Sequence, residues 1–344
     1  MLKGKNQIKV AVIGGGRAGL IHAGNLAFSI PEAKLVAMVE PDDEKAAAAA
    51  QQFEVNTYQN HRELLENESL DAAVVVTPTW FHRDIVLDCA HNGVHILCEK
   101  PMAITETECR DMLQAVEDHG VKLQIGFMRR FDQSFLAARQ AVDEGHIGNV
   151  VLVKSLTRGP SIPQPWQYDI QASNGPLAEV NSHDIDTLRW MAGAEISEVY
   201  AVAGNFRCPE AATEFPDFYD NVIMTCRFNN GCQGHIDGAV SVKYGYDARV
   251  EIVGTEGVIF IGRTQEYDMV VVNGVKGVVT PFQKSWRTLF TEAYQAEDQA
   301  FIDCILLDTS PQVSGRDGLE AVRVVNAGNQ SIAERKPISI THNP

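Results

Sequence analysis

Three spaced glycines, one lysine and a histidine flanked by acids are the residues of this chain best suited to chemistry. The glycines stand in Gly14-Gly15-Gly16-Arg17-Ala18-Gly19, directly after the apolar run Ile8-Lys9-Val10-Ala11-Val12-Ile13. Gly14, Gly16 and Gly19 form G-x-G-x-x-G, a helix-like stretch follows over 20–28, and a second apolar run covers 34–40. Glu40, at its end, lies where an acid would reach a ribose 2′-hydroxyl. The first glycine permits a tight turn, the second lets the backbone approach a pyrophosphate, and the third lets helix and strand pack closely. The free N–H groups and the dipole at the helix start would then hold phosphate. The motif alone also fits a tight turn without a ligand. Strand, glycines, helix, strand and acid in register predict a dinucleotide site.

Thr77-Pro78-Thr79 and Cys98-Glu99-Lys100-Pro101 each follow a run rich in Val, Ile and Leu. Both fall where parallel strands end, which is where open α/β sheets bind ligands. Taken alone, Lys100 reads as a solvated surface lysine. Beside a dinucleotide crevice it becomes a charged donor for a hydroxyl or carbonyl oxygen. The segment from Gly175 to Met191 reads as one helix, with Pro176 in its first turn and Gly193 past its end. At about 100° per residue, Leu177, Val180, Leu188 and Met191 share one face, and Glu179, His183, Asp186 and Trp190 share the other. Histidine carries protons near neutral pH, and a neighbouring carboxylate can orient it. The same spacing also describes an ordinary solvated helix face. Glu179, His183 and Asp186 could hold a metal, but hydride chemistry explains more of the chain and needs none, so no metal is expected.

The elements that must position these groups change character along the chain. Up to about residue 126, strand-like runs at 8–13, 34–40, 71–77, 94–98 and 122–126 alternate with helical stretches such as 81–91 and 106–119. That alternation predicts a parallel sheet covered on both faces. After an amphipathic helix over 131–144, runs at 150–156, 198–206, 222–228, 233–244, 249–253 and 258–261 read as strands without helices between most of them. Asn229-Asn230-Gly231 and Gly254-Thr255-Glu256-Gly257 are hairpin signals, so this half is expected to be largely antiparallel. Two helices, 289–307 and 318–334, close the chain.

The 344 residues suit two domains, and no linker separates them. A net charge of −16 repels nucleic acid and anionic lipid, so neither is an expected partner. The seven cysteines form no C-x-x-C pair and sit mostly among apolar neighbours, which is the usage of a reducing compartment. The first seven residues are too polar for a signal peptide, and no run approaches a membrane span. A cytoplasmic protein is expected.

Taken together, residues 12–19, Thr77-Pro78, Glu99-Lys100-Pro101 and His183-Asp184-Ile185-Asp186 resemble the Gfo/Idh/MocA family of NAD(P)-dependent oxidoreductases. Gly126-Phe127-Met128-Arg129-Arg130-Phe131-Asp132, Lys243-Tyr244-Gly245-Tyr246-Asp247 and the ending from Glu297 to Gly318 resemble its inositol 2-dehydrogenases in particular. The resemblance implies an NAD-binding α/β Rossmann domain over 1–126. It also implies an α+β domain over 127–344, with a large, mostly antiparallel open sheet for substrate binding and oligomerisation. It implies NAD contacts at Gly14, Gly16, Arg17, Ala18, Gly19, Glu40, Thr77, Pro78, Glu99 and Lys100. The nicotinamide would lie between the domains, and the Lys-Pro peptide is often cis. Lys100, His183 and Glu179 would serve the reacting hydroxyl, Glu179 standing where the family carries aspartate. Arg129, Arg158, Asp186 and Tyr246 would join them around a cyclic polyol or sugar. Thr157-Arg158-Gly159-Pro160 replaces the His-Arg-Asn-Pro of inositol enzymes. A homodimer or homotetramer is expected. The family also contains glycosidases that recycle bound NAD within each turnover and a non-enzymatic regulator; retention of Lys100 and His183 favours the dehydrogenase.

Overall fold

Residues 7–266, 271–273 and 277–342 are described by a computed structural model of the chain. The chain forms two units, one of residues 1–131 and 292–322, the other of 132–291 and 323–344. The boundary expected at 126/127 therefore moves to 131/132, and residues 292–322 return to the first unit. A linear division misses this return because it assigns each segment to its sequence neighbours.

In the first unit, six strands line up in the order β3-β2-β1-β4-β5-β6. They are β1 (Ile8–Ile13), β2 (Ala33–Val39), β3 (Asn56–Tyr58), β4 (Ala72–Val75), β5 (His95–Cys98) and β6 (Leu123–Ile125). All five pairings are parallel. The strands are apolar because both faces are covered: Val10, Val12, Ala72, Val74 and Leu97 have no exposed surface. Edge strand β3 has no apolar run to announce it. Helices α1 (Arg17–Gly24), α2 (Asp43–Phe53), α3 (His61–Asn67), α4 (His82–His91) and α5 (Glu106–His119) form the crossovers. Helix α1 continues as a π-helical turn over Asn25–Ser29. Helix α5 starts in a capping box between Thr105 and Glu108 and ends on left-handed Gly120. The core is completed from far away in sequence by Phe301, Ile302, Cys304 and Ile305.

The second unit opens with α6 (Gln133–Asp143) and carries a seven-stranded sheet in the order β12-β11-β7-β10-β9-β8-β15. Its strands are β7 (Val150–Arg158), β8 (Ile196–Gly204), β9 (Asn221–Phe228), β10 (Gln233–Ala239), β11 (Asp247–Gly254), β12 (Val258–Ile261) and, after a small hairpin of β13 (Val271–Asn273) and β14 (Gly277–Val279), β15 (Ile338–Ser339). Only β7 and β10 pair in parallel, so the sheet is mostly antiparallel, as expected. One face is covered by α8 (Gly175–Glu179) and α9 (Ser182–Ala192), with α7 (Ile170–Ser173) packed against α8. Helices α10 (Trp286–Leu289), α11 (Thr291–Leu306) and α12 (Gly315–Glu334) precede β15.

The period of two along each strand gives the two faces different roles. Gly234, Ile236 and Gly238 of β10 point toward the helices: a Cβ at Gly234 would lie 2.8 Å from Leu188 Cδ2. His235 and Asp237 point the other way, in register with Lys154 and Leu156 of β7 and with Thr225 and Ile223 of β9. That outer face is open and carries exposed Tyr200, Val202, Ile223 and Phe260.

Candidate active site

The glycine turn leaves β1 at the point where strand order reverses, between β1 and β4. Gly14 adopts a φ of +116°, and a Cβ there would lie 2.5 Å from the Val76 carbonyl oxygen. A Cβ at Gly19 would lie 1.9 Å from the Gly14 oxygen, so no other residue fits. At Gly16 a Cβ would meet nothing within 4 Å, which leaves room for a ligand against the backbone. Gly16 caps α1 without a side-chain hydrogen bond, and the first turn contains no acid, so its N–H groups can hold phosphate. Arg17 and Ala18 are the next two residues of that turn. Glu40 closes it from β2: Oε2 accepts the Gly15 N–H at 3.1 Å and Oε1 the Asp42 N–H at 3.0 Å. Across the crevice, Thr77 Oγ1 is buried and meets no partner among the described residues, while Pro78 starts the turn into α4. A hydroxyl with nothing to bond, beside a turn open at Gly16, fits a cofactor rather than a bare turn.

Lys100 is half-buried after β5, in a cis Lys100–Pro101 peptide as the resemblance implied. His82 stands beside this loop, with its ring nitrogens 2.8 Å from the Thr77 carbonyl and 2.9 Å from that of Pro101. Burial pushes the His82 pKa down. Glu99 is buried, and its Oε2 accepts the Lys100 N–H at 3.0 Å. His22, Glu99 and Glu297 bring ligand-type atoms within 4.8 Å of one another, a grouping invisible in the sequence.

In the second unit, the single helix expected over 175–191 is two. Helix α8 stops at Glu179; Val180 and Asn181 break the ladder with φ/ψ of −113/−52° and −88/0°, and α9 starts at Ser182. Glu179 and His183 therefore stand on different helices, while His183, Asp186 and Trp190 share one. The solvated face is also absent: His183, Asp184 and Asp186 are buried, and only Trp190 in α9 is half-buried. The cause is tertiary. The Asn181 side chain enters the space left by Gly238, where a Cβ would lie 2.0 Å from Asn181 Oδ1. Its Nδ2 donates to Asp184 Oδ2 at 2.7 Å. Asp184 Oδ1 accepts the hydroxyls of Thr157, at 2.9 Å, and Ser155. A fully buried carboxylate thus ties α9 to β7 and fixes the helix turn that carries His183. Asn181, Ser155, Thr157 and Gly238 escaped the sequence reading. The small polar residues at alternate positions of β7 were the available signal.

The remaining candidates divide. Glu179 accepts Gln167 Nε2 at 3.0 Å, so the 161–169 loop reaches it. Asp186 lies 3.8 Å from Arg189 Nη1. Tyr246 is buried against Phe290, ring centroids 6.4 Å apart. Arg129 is 1% exposed in the first unit and presents almost no surface to a ligand. Arg158 is a correction: it points to the outer sheet face, away from α9, and pairs with Asp237. Strand period put it on the face opposite Ser155 and Thr157, a parity the motif comparison ignored.

Residues 8–127 match the oxidoreductase family's NAD-binding Rossmann fold, and residues 139–340 match its C-terminal alpha/beta domain. The chain belongs to the Gfo/Idh/MocA family. It is thus an NAD-dependent oxidoreductase. Among Gfo/Idh/MocA proteins it is 33% identical over 340 residues to the scyllo-inositol 2-dehydrogenase (NAD(+)) of Bacillus subtilis, covering 98% of this chain and 97% of that one. It is also 33% identical to the inositol 2-dehydrogenase of Rhizobium meliloti, covering 97% and 99%. The crystal structure of Lactobacillus casei scyllo-inositol dehydrogenase with bound NAD(H) and scyllo-inositol superposes with a TM-score of 0.88 at 26% identity, covering 97% of this chain and 99% of that one.

Proposed function

We propose that the enzyme oxidises a secondary hydroxyl on a ring bearing several adjacent hydroxyls, an inositol or a sugar, to the ketone. The observation that carries this reading is the likeness across 98% of the chain to an NAD-dependent scyllo-inositol 2-dehydrogenase. NAD, when bound, would supply the hydride acceptor. Gly14, Gly16, Arg17, Ala18 and Gly19 would hold its pyrophosphate, Glu40 its adenosine ribose, and Thr77, Pro78 and Glu99 would line the rest of the crevice. Lys100 stabilises charge developing on the reacting oxygen. His183 accepts the hydroxyl proton, held in place by the Asp184 tether one residue away. Glu179 accepts hydrogen bonds from neighbouring substrate hydroxyls, with Gln167 fixing its carboxylate.

The test is growth of NADH absorbance with excess NAD and a panel headed by myo- and scyllo-inositol. Net NADH on a cyclic polyol supports the reading and excludes both an internally recycled cofactor and a non-enzymatic regulator. Turnover of a linear or aromatic carbonyl compound with silence on every ring would sink it. His183→Ala should lower kcat by about 10²–10⁴; near-normal turnover would remove the histidine from the chemistry.

The outer sheet face supports a homodimer or homotetramer. Tyr200, Val202, Ile223 and Phe260 are exposed on it, while its charges pair among themselves, Lys154 with Glu251 at 3.0 Å and Arg158 with Asp237. Light scattering decides the state. No helix among the described residues is long and apolar enough to cross a membrane. All seven cysteines are unbridged and buried, and burial pushes Cys89 up to about 12, which suits a cytoplasmic protein.

A further inference from the structure

A buried chain of polar groups runs from α11 to the backbone of Lys100, wholly within the first unit. Asp298 Oδ1 lies 2.6 Å from His22 Nδ1, and Asp298 Oδ2 accepts Asn25 Nδ2 at 2.8 Å. His22 Nε2 faces Glu99 Oε1 at 3.3 Å, and Glu99 Oε2 accepts the Lys100 N–H at 3.0 Å. Neither His22 nor Asp298 has any exposed surface. The chain has little freedom: Tyr294 packs edge-on against the imidazole, centroids 5.5 Å apart, and a Cβ at Gly126 would lie 2.9 Å from Glu99 Cδ. With a carboxylate oxygen opposite each ring nitrogen, only the doubly protonated imidazolium donates to both. Burial opposes that charge, but Asp298 and Glu99 outweigh it and hold the His22 pKa well above its usual value.

We propose that His22, clamped by Asp298, is a positioning residue for the oxidation: it fixes the Glu99 carboxylate, which fixes the backbone from which Lys100 reaches the reacting oxygen. The inference rests on the role given above to Lys100. Its physical basis is that a lysine has four rotatable bonds, so its ammonium group is only as well placed as its anchor. A misplacement of 1 Å can lower a rate by about 10²-fold. The same atoms offer metal-like spacing with Glu297, but protons satisfy them better. Both imidazole nitrogens are engaged in hydrogen bonds, and both Glu297 oxygens are buried without a hydrogen bond among the described residues. Burial, then the charge of Glu99, pushes the Glu297 carboxyl well above its ordinary range, which favours its protonated form.

The experiment is a double-mutant cycle on the NAD-loaded full-length enzyme with His22→Gln, Lys100→Met and the pair. His22→Gln should lower kcat by about 10–100-fold at saturating NAD while KM for the polyol stays within about twofold. In the Lys100→Met background the same change should alter kcat by less than about twofold. Equal losses in both backgrounds would show a general structural effect and overturn the inference. A Lys100→Met enzyme with near-normal kcat would instead remove the lysine from the chemistry, a failure visible in that single variant before His22 is considered, and the inference would fall with it. Asp298→Asn keeps the volume but not the charge; it should reproduce the kcat loss and the coupling to Lys100 if His22→Gln does not fold. Elemental analysis should find no ion in the wild type; a stoichiometric metal lost in Asp298→Asn would also overturn the inference.

Discussion

Replacing Asp184 by asparagine should separate the tether of α9 from the chemistry on it. The Asp184 carboxylate has no exposed surface and accepts three side-chain hydrogen bonds, from Ser155, Thr157 and Asn181. Bonds to a charged acceptor contribute about 1.5–3 kcal/mol each. Asparagine keeps one oxygen and turns an NH₂ toward groups that themselves donate, so two of the three are weakened or lost, roughly 3–6 kcal/mol. For a unit of this size each kcal/mol lowers the melting temperature by about 2–4 °C. Circular dichroism should therefore show a melt lowered on the order of 10 °C. Because His183 precedes Asp184 on the same turn, kcat should also fall, by up to about 10² if the imidazole shifts by 1 Å. NAD affinity should hold, since the glycine turn belongs to the other unit. A melt within about 2 °C of wild type, with unchanged kcat, would refute the tether.

Further outcomes follow from other sites. Gly19→Ala places a Cβ 1.9 Å from a backbone oxygen that cannot move aside, so NAD affinity should collapse; titration of a folded variant with wild-type affinity would contradict the packing. NAD should be preferred over NADP because the Glu40 carboxylate repels a 2′-phosphate; Glu40→Ser with Pro41→Arg should shift kcat/KM toward NADP, and a wild-type preference for NADP would defeat the assignment. His22 and Glu297 both bind a proton more tightly folded than unfolded, so the stability they confer is lost as pH rises above the ordinary histidine and glutamate values and through their raised ones. Glu297, beside Glu99, Asp298 and His22, contributes the carboxylate part. Glu297→Gln should flatten the fall of denaturation midpoint as pH rises above the ordinary glutamate value, and an unchanged slope would show that the acid is already ionised.

What could be read from the sequence was local. The glycine turn carries its signature, Gly14, Gly16 and Gly19, within six residues, and helix α5 falls on the helical stretch expected over 106–119. Lys100 could be placed because a parallel strand directs its end to the crevice. What escaped was set at a distance. The break at Val180 and Asn181 exists because Gly238, 57 positions on, makes room for an amide. His22 meets Asp298 across 276 positions, and nothing in the turn signals that partner. Arg158 shows a third kind of miss: alternation was visible along β7, but the helix-covered parity became clear only with the glycines of β10 in register.

The return of residues 292–322 to the first unit has a consequence for synthesis of the chain. The core around β1 and β2 includes Phe301, Ile302, Cys304 and Ile305. A ribosome that has released residues 1–131 has therefore delivered a sheet with a bare flank, and six of the seven strands of the second sheet emerge before the missing helix does. Domains made first usually close first; here the nucleotide-binding half is begun first but cannot close until most of the second unit has been made. A gene fragment ending near residue 131 would expose that flank and aggregate, whereas one that splices 292–322 back onto it through a short linker supplies the missing wall.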